Sequence, residues 1–361
     1  MHRFSGNHDK PRILHLFSMD MPKFAQNKGQ EMANVLNLGF SKSPEFLSLP
    51  QDFQNAIYNA IKTLQKGQKT VNGNHIEFDS ENFGVRPFDI NIDSVIEEAM
   101  AQNNDFAIFA ADKNSFSKID KIKSETLEAM LKDGMERYRA LWFALNALPG
   151  TPTNYAGDEL GMTGWETSSK NEKQENRNAL RHDRLENNNY KFIKDYKEKI
   201  DKITNIRKKD GASALANGAL IPITSPNPNA AAFYRYNDKT DAICIIHNTN
   251  FDVSQEEKKF EEIHVNRIDL GGLPNGLKVG TIYVDAMEPG KKYKVTNPYE
   301  IKKVDDNDTN KILEDINLGN AGLILLRESS FDGKKFSFKG RIENPNVKLA
   351  NTKYNFSYMN K

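Results

Sequence analysis

Leu148-Pro149-Gly150-Thr151-Pro152-Thr153-Asn154-Tyr155-Ala156-Gly157-Asp158-Glu159-Leu160-Gly161-Met162 reads as the end of a helix, a short strand and a tight turn. Upstream of it, Leu127, Leu131, Tyr138, Leu141, Trp142, Leu145 and Leu148 share one helical face, and Pro149-Gly150 stops that helix. Residues 151–156 predict a strand, with Gly157-Asp158-Glu159 just after it. A polar loop runs to about residue 189. Beyond it, Phe192, Tyr196, Ile200, Ile203 and Ile206 mark a second amphipathic helix that stops near Gly211. Helix, strand, loop and helix in that order predict α/β architecture with a parallel sheet.

Toward the N-terminus, residues 1–5 read as extended and lead into Gly6-Asn7-His8-Asp9-Lys10-Pro11-Arg12. Gly6 and Pro11 bracket a turn, so this polar cluster falls at the end of a strand or in the loop after it. Residues 20–123 form a long mixed segment. Phe53, Ile57, Ile61 and Leu64 predict a helix there, 75–78 a short strand, and Asp93-Ser94 a helix start, while periodicity leaves the apolar run 106–111 unassigned. After Gly211 the period becomes extended. Residues 230–236 and 242–247 flank the turn Asn237-Asp238-Lys239-Thr240, and 278–285, 292–296 and 322–327 are further strands. This predicts an all-β domain built as an antiparallel sandwich. The tail, 331–361, holds seven Lys/Arg against two acidic residues and reads as a solvated basic tail or an extra edge strand.

The chain has 361 residues, 50 Lys+Arg against 49 Asp+Glu, and a formal charge of +1, a balance that argues against nucleic-acid and anionic-membrane partners. One cysteine, Cys244, excludes an intramolecular disulfide framework, and its apolar strand reads as core. The seven histidines show no metal-ligating spacing, so no metal is expected. No run is long and apolar enough for a membrane span, and the first residues do not read as a signal peptide. No G-x-S-x-G elbow, P-loop or G-x-G-x-x-G is present.

Two polar clusters remain as candidates for chemistry. Asn7-His8-Asp9 places an acid beside a histidine at a strand end, which reads equally as a catalytic group or a structural turn. Adjacent Asp158 and Glu159 point apart on an extended backbone, which favours hydrogen bonding and loop anchoring over an acid/base couple. Arg12 reads as a fixed positive charge near a carboxylate or, alternatively, as a surface arginine after a proline turn.

In this order the pieces resemble the alpha-amylase superfamily, glycoside hydrolase family 13. Phe4 to Arg12, with Asn7-His8-Asp9 at its centre, is similar to the segment at the end of barrel strand seven, and the following Pro11-Arg12 leans toward the alpha-glucosidase and oligo-1,6-glucosidase branches. Leu148 to Met162 resembles the passage from helix seven to strand eight. Asn176-Arg177-Asn178-Ala179 resembles a loop near substrate, and Ala231-Ala232-Phe233-Tyr234-Arg235-Tyr236 resembles the start of the C-terminal β-domain. The resemblance implies the C-terminal part of a (β/α)8 TIM barrel over 1–210, with an insertion at about 20–123. An antiparallel β-sandwich over 211–330 and the tail complete the expected organisation.

The resemblance implies that Asp9 is the catalytic carboxylate that stabilises an oxocarbenium-like transition state. It makes His8, Asn7, Arg12 and Arg177 substrate-binding residues. A retaining glycosidase also needs a nucleophile and an acid/base carboxylate roughly 5–5.5 Å apart. The resemblance places both upstream of Asn7-His8-Asp9, so the expected function is an amylase-type glycosidase acting on α-glucosidic bonds, present as a C-terminal portion that is inactive alone. The alternative is a non-catalytic carbohydrate-binding or inactive remnant protein. The expected partners are an α-glucan or maltooligosaccharide and a separate chain supplying the missing barrel strands. No cofactor is called for, with a structural calcium left open. The expected compartment is the cytoplasm, or outside the cell if an upstream signal has been lost.

Overall fold

The computed structural model describes residues 2–4, 12–19, 23, 26–65, 68–71, 74–77, 88–164, 179–209, 212–247, 263–319 and 321–328. After β1 (His2–Phe4) come α1 (Ile13–Phe17), α2 (Lys28–Ser41), α3 (Pro44–Leu47) and α4 (Gln51–Gln65). Asn27 and Ser43 start α2 and α3 by accepting the backbone N–H groups of Gln30 and Phe46, which the first helical turn leaves without partners. α4 buries Ala56, Ile57, Ala60, Ile61 and Leu64 on one side, the stripe its spacing predicts. A hairpin of β2 (Gln68–Val71) and β3 (Asn74–Glu77) follows, and its second arm falls where a strand is expected.

α5 (Phe88–Gln102) begins well before the expected Asp93-Ser94. Its start is set by tertiary contact: the backbone N–H of Phe88 donates to Thr163 Oγ1, 3.1 Å away. α6 (Asn104–Ala111) resolves the apolar run as helix, because Asn103 caps it at the N–H of Phe106. α7 (Lys113–Ala147) is the axis of the helical layer. Leu127, Leu131, Met135, Tyr138, Trp142 and Ala147 are buried along it, and α1, α2, α3, α5 and α6 pack around it. β4 (Thr151–Thr153) is shorter than the expected 151–156, since the chain leaves the extended conformation at Asn154. It pairs in parallel with β1 in the register His2↔Thr151, Arg3↔Pro152 and Phe4↔Thr153. α8 (Asp183–Glu186) and α9 (Lys191–Ile206) come next. The buried stripe of α9 is Ile193, Tyr196, Ile200, Ile203 and Ile206, with Phe192 at its margin. α9 also packs on α7, and α10 (Ser213–Asn217) closes the helical part.

The strands that follow are β5 (Ala219–Ile223), β6 (Ala230–Tyr236), β7 (Asp241–His247), β8 (His264–Val265), β9 (Ile268–Asp269) and β10 (Ile282–Asp285). β11 (Lys292–Asn297), β12 (Glu300–Val304), β13 (Ile312–Leu313), β14 (Ile316–Asn317) and β15 (Gly322–Arg327) complete the described elements. The antiparallel character is as expected; the layering differs. A sandwich would divide the strands between two separately bonded sheets. Instead β15 inserts between β7 and β10, so hydrogen bonding runs unbroken through β13-β12-β11-β10-β15-β7-β6-β5, with β9 on β12. Among the described residues of this part, β8 and β14 alone form a separate ribbon. The Thr224 N–H, just past β5, donates to Gly271 O, just past β9, at 2.8 Å. The two margins of the nine-stranded sheet therefore meet, nearly closing it into a barrel.

Alternation gives the middle strands two jobs. Phe233, Ala242, Cys244, Ile324 and Leu326 face the helices and belong to their core. Ala232, Tyr234, Ile243, Ile245, Leu323 and Leu325 face the interior of the sheet, with Tyr283, Tyr293, Val295 and Ile301. Burial on both faces explains why β7 and β15 read as unbroken apolar runs. Arg235 shares the helix-facing side and is fully buried. It is solvated by carbonyls: Ala147 O at 2.8 Å from α7, Ala214 O and Leu215 O at 2.9 and 3.2 Å from α10, Gly218 O at 2.9 Å and Ala219 O at 3.3 Å. One helical core thus extends across residue 210 into the sheet.

Candidate functional site

Parallel pairing decides where the polar residues meet. Because β1 and β4 run the same way, the residues after Phe4 and after Thr153 leave from the same end of the pair. That carboxyl-terminal end is where α/β folds place their functional groups. Asn7, His8 and Asp9 belong to the first of these exits and lie outside the described residues, as does Arg177. The basic tail 331–361 lies outside them too.

Arg12 is the first described residue after that exit, and it is not the surface arginine of one sequence reading. It is 2 % exposed. Its backbone N–H donates to Gly164 O at 2.8 Å, and its Nη1 donates to Ala156 O at 3.0 Å and Asp158 Oδ1 at 3.2 Å. The guanidinium also lies 4.6 Å from the centre of the Tyr155 ring, a cation–π distance. Every one of these partners comes from the segment that follows β4. Asp158 itself is fully buried. Burial pushes its carboxyl up to about 7; Arg12 opposes the rise and neighbouring Glu159 adds to it. Asp158 Oδ2 has no hydrogen-bond partner among the described residues.

Glu159 is held differently. Its Oε2 accepts from Asn154 Nδ2 at 2.7 Å and from the Gly157 N–H at 3.0 Å, and Asn154 Oδ1 in turn accepts from the Tyr138 hydroxyl of α7. The two adjacent carboxylates therefore bond to different partners, in keeping with an anchoring role rather than an acid/base couple. The single 3-10 turn Asp158–Leu160 that carries them lies between Gly157 and Gly161, with φ of 100° and 69°. Both are left-handed conformations that glycine adopts without steric cost. A side chain at Gly157 would also come within 3.0 Å of Arg12 Nη1.

From the opposite side the same segment is held by Arg184 and Asp89, which carried no sequence signal. Arg184 is 3 % exposed; its Nη2 bonds to Asp89 Oδ2 at 2.6 Å, and its Nη1 lies 3.4 Å from Leu160 O and Gly161 O. Arg181 shares Asp89 at 2.7 Å. Tyr196 packs beside Tyr138 with ring centres 6.5 Å apart, and burial raises its hydroxyl well above the usual range. Buried arginines are invisible to periodicity, because what permits them is a set of partners remote in sequence. Asn154 and Tyr138 do stand in or beside the stretch that decides the fold, and the turn glycines flag that a side-chain cradle forms there.

Chemically, the arrangement is a rigid platform: a buried cation–carboxyl pair, a second carboxylate bonded to a turn, and aromatic rings beneath. Among the described residues no group of three or more His, Cys, Asp or Glu side chains comes together as a metal site would require. No helix among them is long and apolar enough to cross a membrane.

No protein-family model matches the chain, and no curated protein matches it. Solved structures similar to it include an AmyP variant in complex with maltotriose, with a TM-score of 0.37 and 16% identity over 55% of this chain and 36% of that one. An alpha-amylase from Anoxybacillus aligns with a TM-score of 0.35 and 16% identity, over 57% of this chain and 36% of that one. A hypothetical maltooligosyl trehalose synthase from Sulfolobus tokodaii aligns with a TM-score of 0.33 and 14% identity, over 89% of this chain and 38% of that one. The chain thus spans well under half the length of each of these proteins, and at such TM-scores the likeness establishes neither a shared fold nor an activity.

Proposed function

We propose that this chain is the glycan-handling, C-terminal portion of an alpha-amylase-type glycosidase of the alpha-glucosidase and oligo-1,6-glucosidase kind. The observation that carries the reading is the parallel register of β1 on β4. It brings Phe4 and Thr153 to the same end of one pair, and Asn7-His8-Asp9 follows the first of them in sequence as Asn154 to Glu159 follows the second. Their order in the sequence supports the same reading.

In it, Asp9 is the carboxylate that stabilises positive charge developing at the anomeric carbon. His8, Asn7 and Arg177 bind sugar hydroxyls, and Arg12 holds their platform. The nucleophile and acid/base carboxylates are not among the residues this reading assigns, and the proposed partner is an α-glucan or maltooligosaccharide. The chain alone then binds α-glucan without cleaving it.

Titration calorimetry with maltotriose tests this. Weak binding, on the order of millimolar, lost in Asp9→Ala, with no glucose released above buffer, is the expected result. No heat of binding at saturating maltotriose overturns the reading. Turnover abolished by Asp9→Ala would place the complete machinery in this chain.

A further inference from the structure

Two strands of the sheet carry a pattern that does not by itself fix how they align. β7 and β15 pair antiparallel, with Leu323 opposite Ile245, Ile324 opposite Cys244 and Leu325 opposite Ile243. Leu323 and Leu325 are buried in the interior of the sheet, Ile324 and Leu326 in the core shared with the helices. Sliding a strand by one residue turns every side chain to the other face, which normally buries polar groups and exposes apolar ones. Here Leu323-Ile324-Leu325-Leu326 would only exchange one apolar core for the other, so burial discriminates poorly between registers. Closure depends on the choice, because the summed stagger of the strands decides whether the margins at Thr224 and Gly271 meet.

What distinguishes the observed register is polar. Asp241, the first residue of β7, is fully buried. Its Oδ1 accepts from Arg327 Nε at 2.5 Å, and its Oδ2 accepts from Arg327 Nη2 at 2.6 Å. Oδ2 also accepts from the hydroxyls of Tyr234 at 2.7 Å and Tyr283 at 2.5 Å. One carboxylate thereby joins β7 to β6, β10 and β15. Tyr283 stands opposite Arg327 in the pairing of β10 with β15, and the guanidinium lies 5.2 Å from its ring centre. A bidentate arginine–carboxylate pair is specific in direction as well as strong. A slip of one residue would turn Arg327 toward the helices and leave Asp241 buried without its cation. At the opposite end of β15, Gly322 admits the close approach of Ile245 O but offers no side chain to hold it there.

We propose that the Asp241–Arg327 pair, with Tyr234 and Tyr283, is the pin that selects the register of β15 between β7 and β10. The pin acts on the sheet alone and does not depend on the glycan-handling reading.

The chain's one cysteine, Cys244, supplies a register reporter. Ile324 O accepts from the Ala286 N–H at 2.8 Å, on the β10 side, so Ile324 and Cys244 face each other as a non-hydrogen-bonded pair. Ile324→Cys therefore puts a second thiol within disulfide reach of Cys244. Leu323→Cys and Leu325→Cys put it on the other face, where it reaches Cys244 only after a one-residue slip. These full-length chains, refolded in glutathione buffer at low concentration, are read by non-reducing electrophoresis and intact mass. Each is made alone, with Arg327→Lys, with Arg327→Met, and with Asp241→Leu plus Arg327→Met, a double replacement that leaves no unpaired charge. With the pin intact, the disulfide should form at 324 and not at 323 or 325. In Arg327→Met and in the double replacement, the yield at 323 or 325 relative to 324 should rise about tenfold or more. Arg327→Lys should show a smaller rise, and it decides alone should Arg327→Met fail to fold. A denaturation midpoint that falls while the disulfide stays at 324 overturns the proposal, because the knot then adds stability without choosing register. Equal yields at 323, 324 and 325 with the pin intact overturn it too.

Discussion

Replacing Arg235 by methionine removes a charge without removing volume, and the consequence can be worked bond by bond. Five carbonyl oxygens lose a donor: Ala147, Ala214, Leu215, Gly218 and Ala219. Ala214 keeps the N–H of Gly218 at 2.8 Å, so four is the larger part of the loss. Carbonyls at the ends of α7 and α10 have no next helical turn to turn to. At about 1 kcal/mol per buried acceptor left short of a donor, the cost is about 4 kcal/mol. Relief of the buried charge and the packing of the methionine return part of it, leaving about 3 kcal/mol. With an unfolding entropy of ~2 cal/mol/K per residue over a chain of this size, the melting temperature should fall by about 4 °C. Circular dichroism at 222 nm follows the helices, and fluorescence of Trp142 on α7, read in a Trp165→Phe background, follows the core they share with the sheet. Arg235→Lys keeps the charge but cannot reach carbonyls in five directions, so it should lose roughly half as much. A melting temperature for Arg235→Met within one degree of the unaltered protein would refute the argument. It would mean the carbonyls find water, and that the helical layer and the sheet are not joined there.

The buried Asp158 predicts an unusual pH dependence. Its carboxyl titrates near 7 in the folded protein and near 3.8 when unfolded, so between these values the folded state holds a proton that the unfolded state lacks. Stability from this group should therefore grow as pH falls from 8 through 7 toward 4, by an amount on the order of a few kcal/mol. Urea midpoints at pH 8 and pH 5 should show this gain in the unaltered protein and not in Asp158→Asn; equal slopes in both would count against it. Gly322 sits at φ 123°, and an added Cβ would lie 2.0 Å from Ile245 O. Gly322→Ala should cost more than ~3 kcal/mol by chemical denaturation, and an unchanged midpoint would show that β15 enters the sheet differently.

Elements whose burial follows local spacing were the legible ones. α4 and α9 lie where their apolar stripes put them, and β6 and β15 keep their expected limits. β5 was not legible, because Pro222 interrupts it; a proline is tolerated there since the strand ends the hydrogen-bonded path. β12 was hidden for another reason. Lys302 and Lys303 break its alternation, leaving only Ile301 and Val304 buried. The sandwich expectation failed because strand count says nothing about pairing, and β15 pairs backward in sequence with β7. At the site, the sequence carried the Gly157-Asp158-Glu159 turn and the anchoring role of its acids. It could not choose between the two readings of Arg12, because the choice depends on a pairing between strands almost 150 residues apart. Arg184 and Asp89 gave no signal for the same reason.

That separation has a consequence for how the molecule is made. Among the described residues, 2–4 have no sheet partner other than 151–153, and the carboxylate paired with Arg12 is that of Asp158. At a synthesis rate of roughly 5–20 residues per second, the earlier strand waits on the order of 10–30 s for its neighbour to be translated. During that interval its unpaired backbone is open to whatever else offers an edge. Contacts of such long range are also those that slow folding most. The platform at the end of β1 and β4 therefore cannot form until residue 158 has been made.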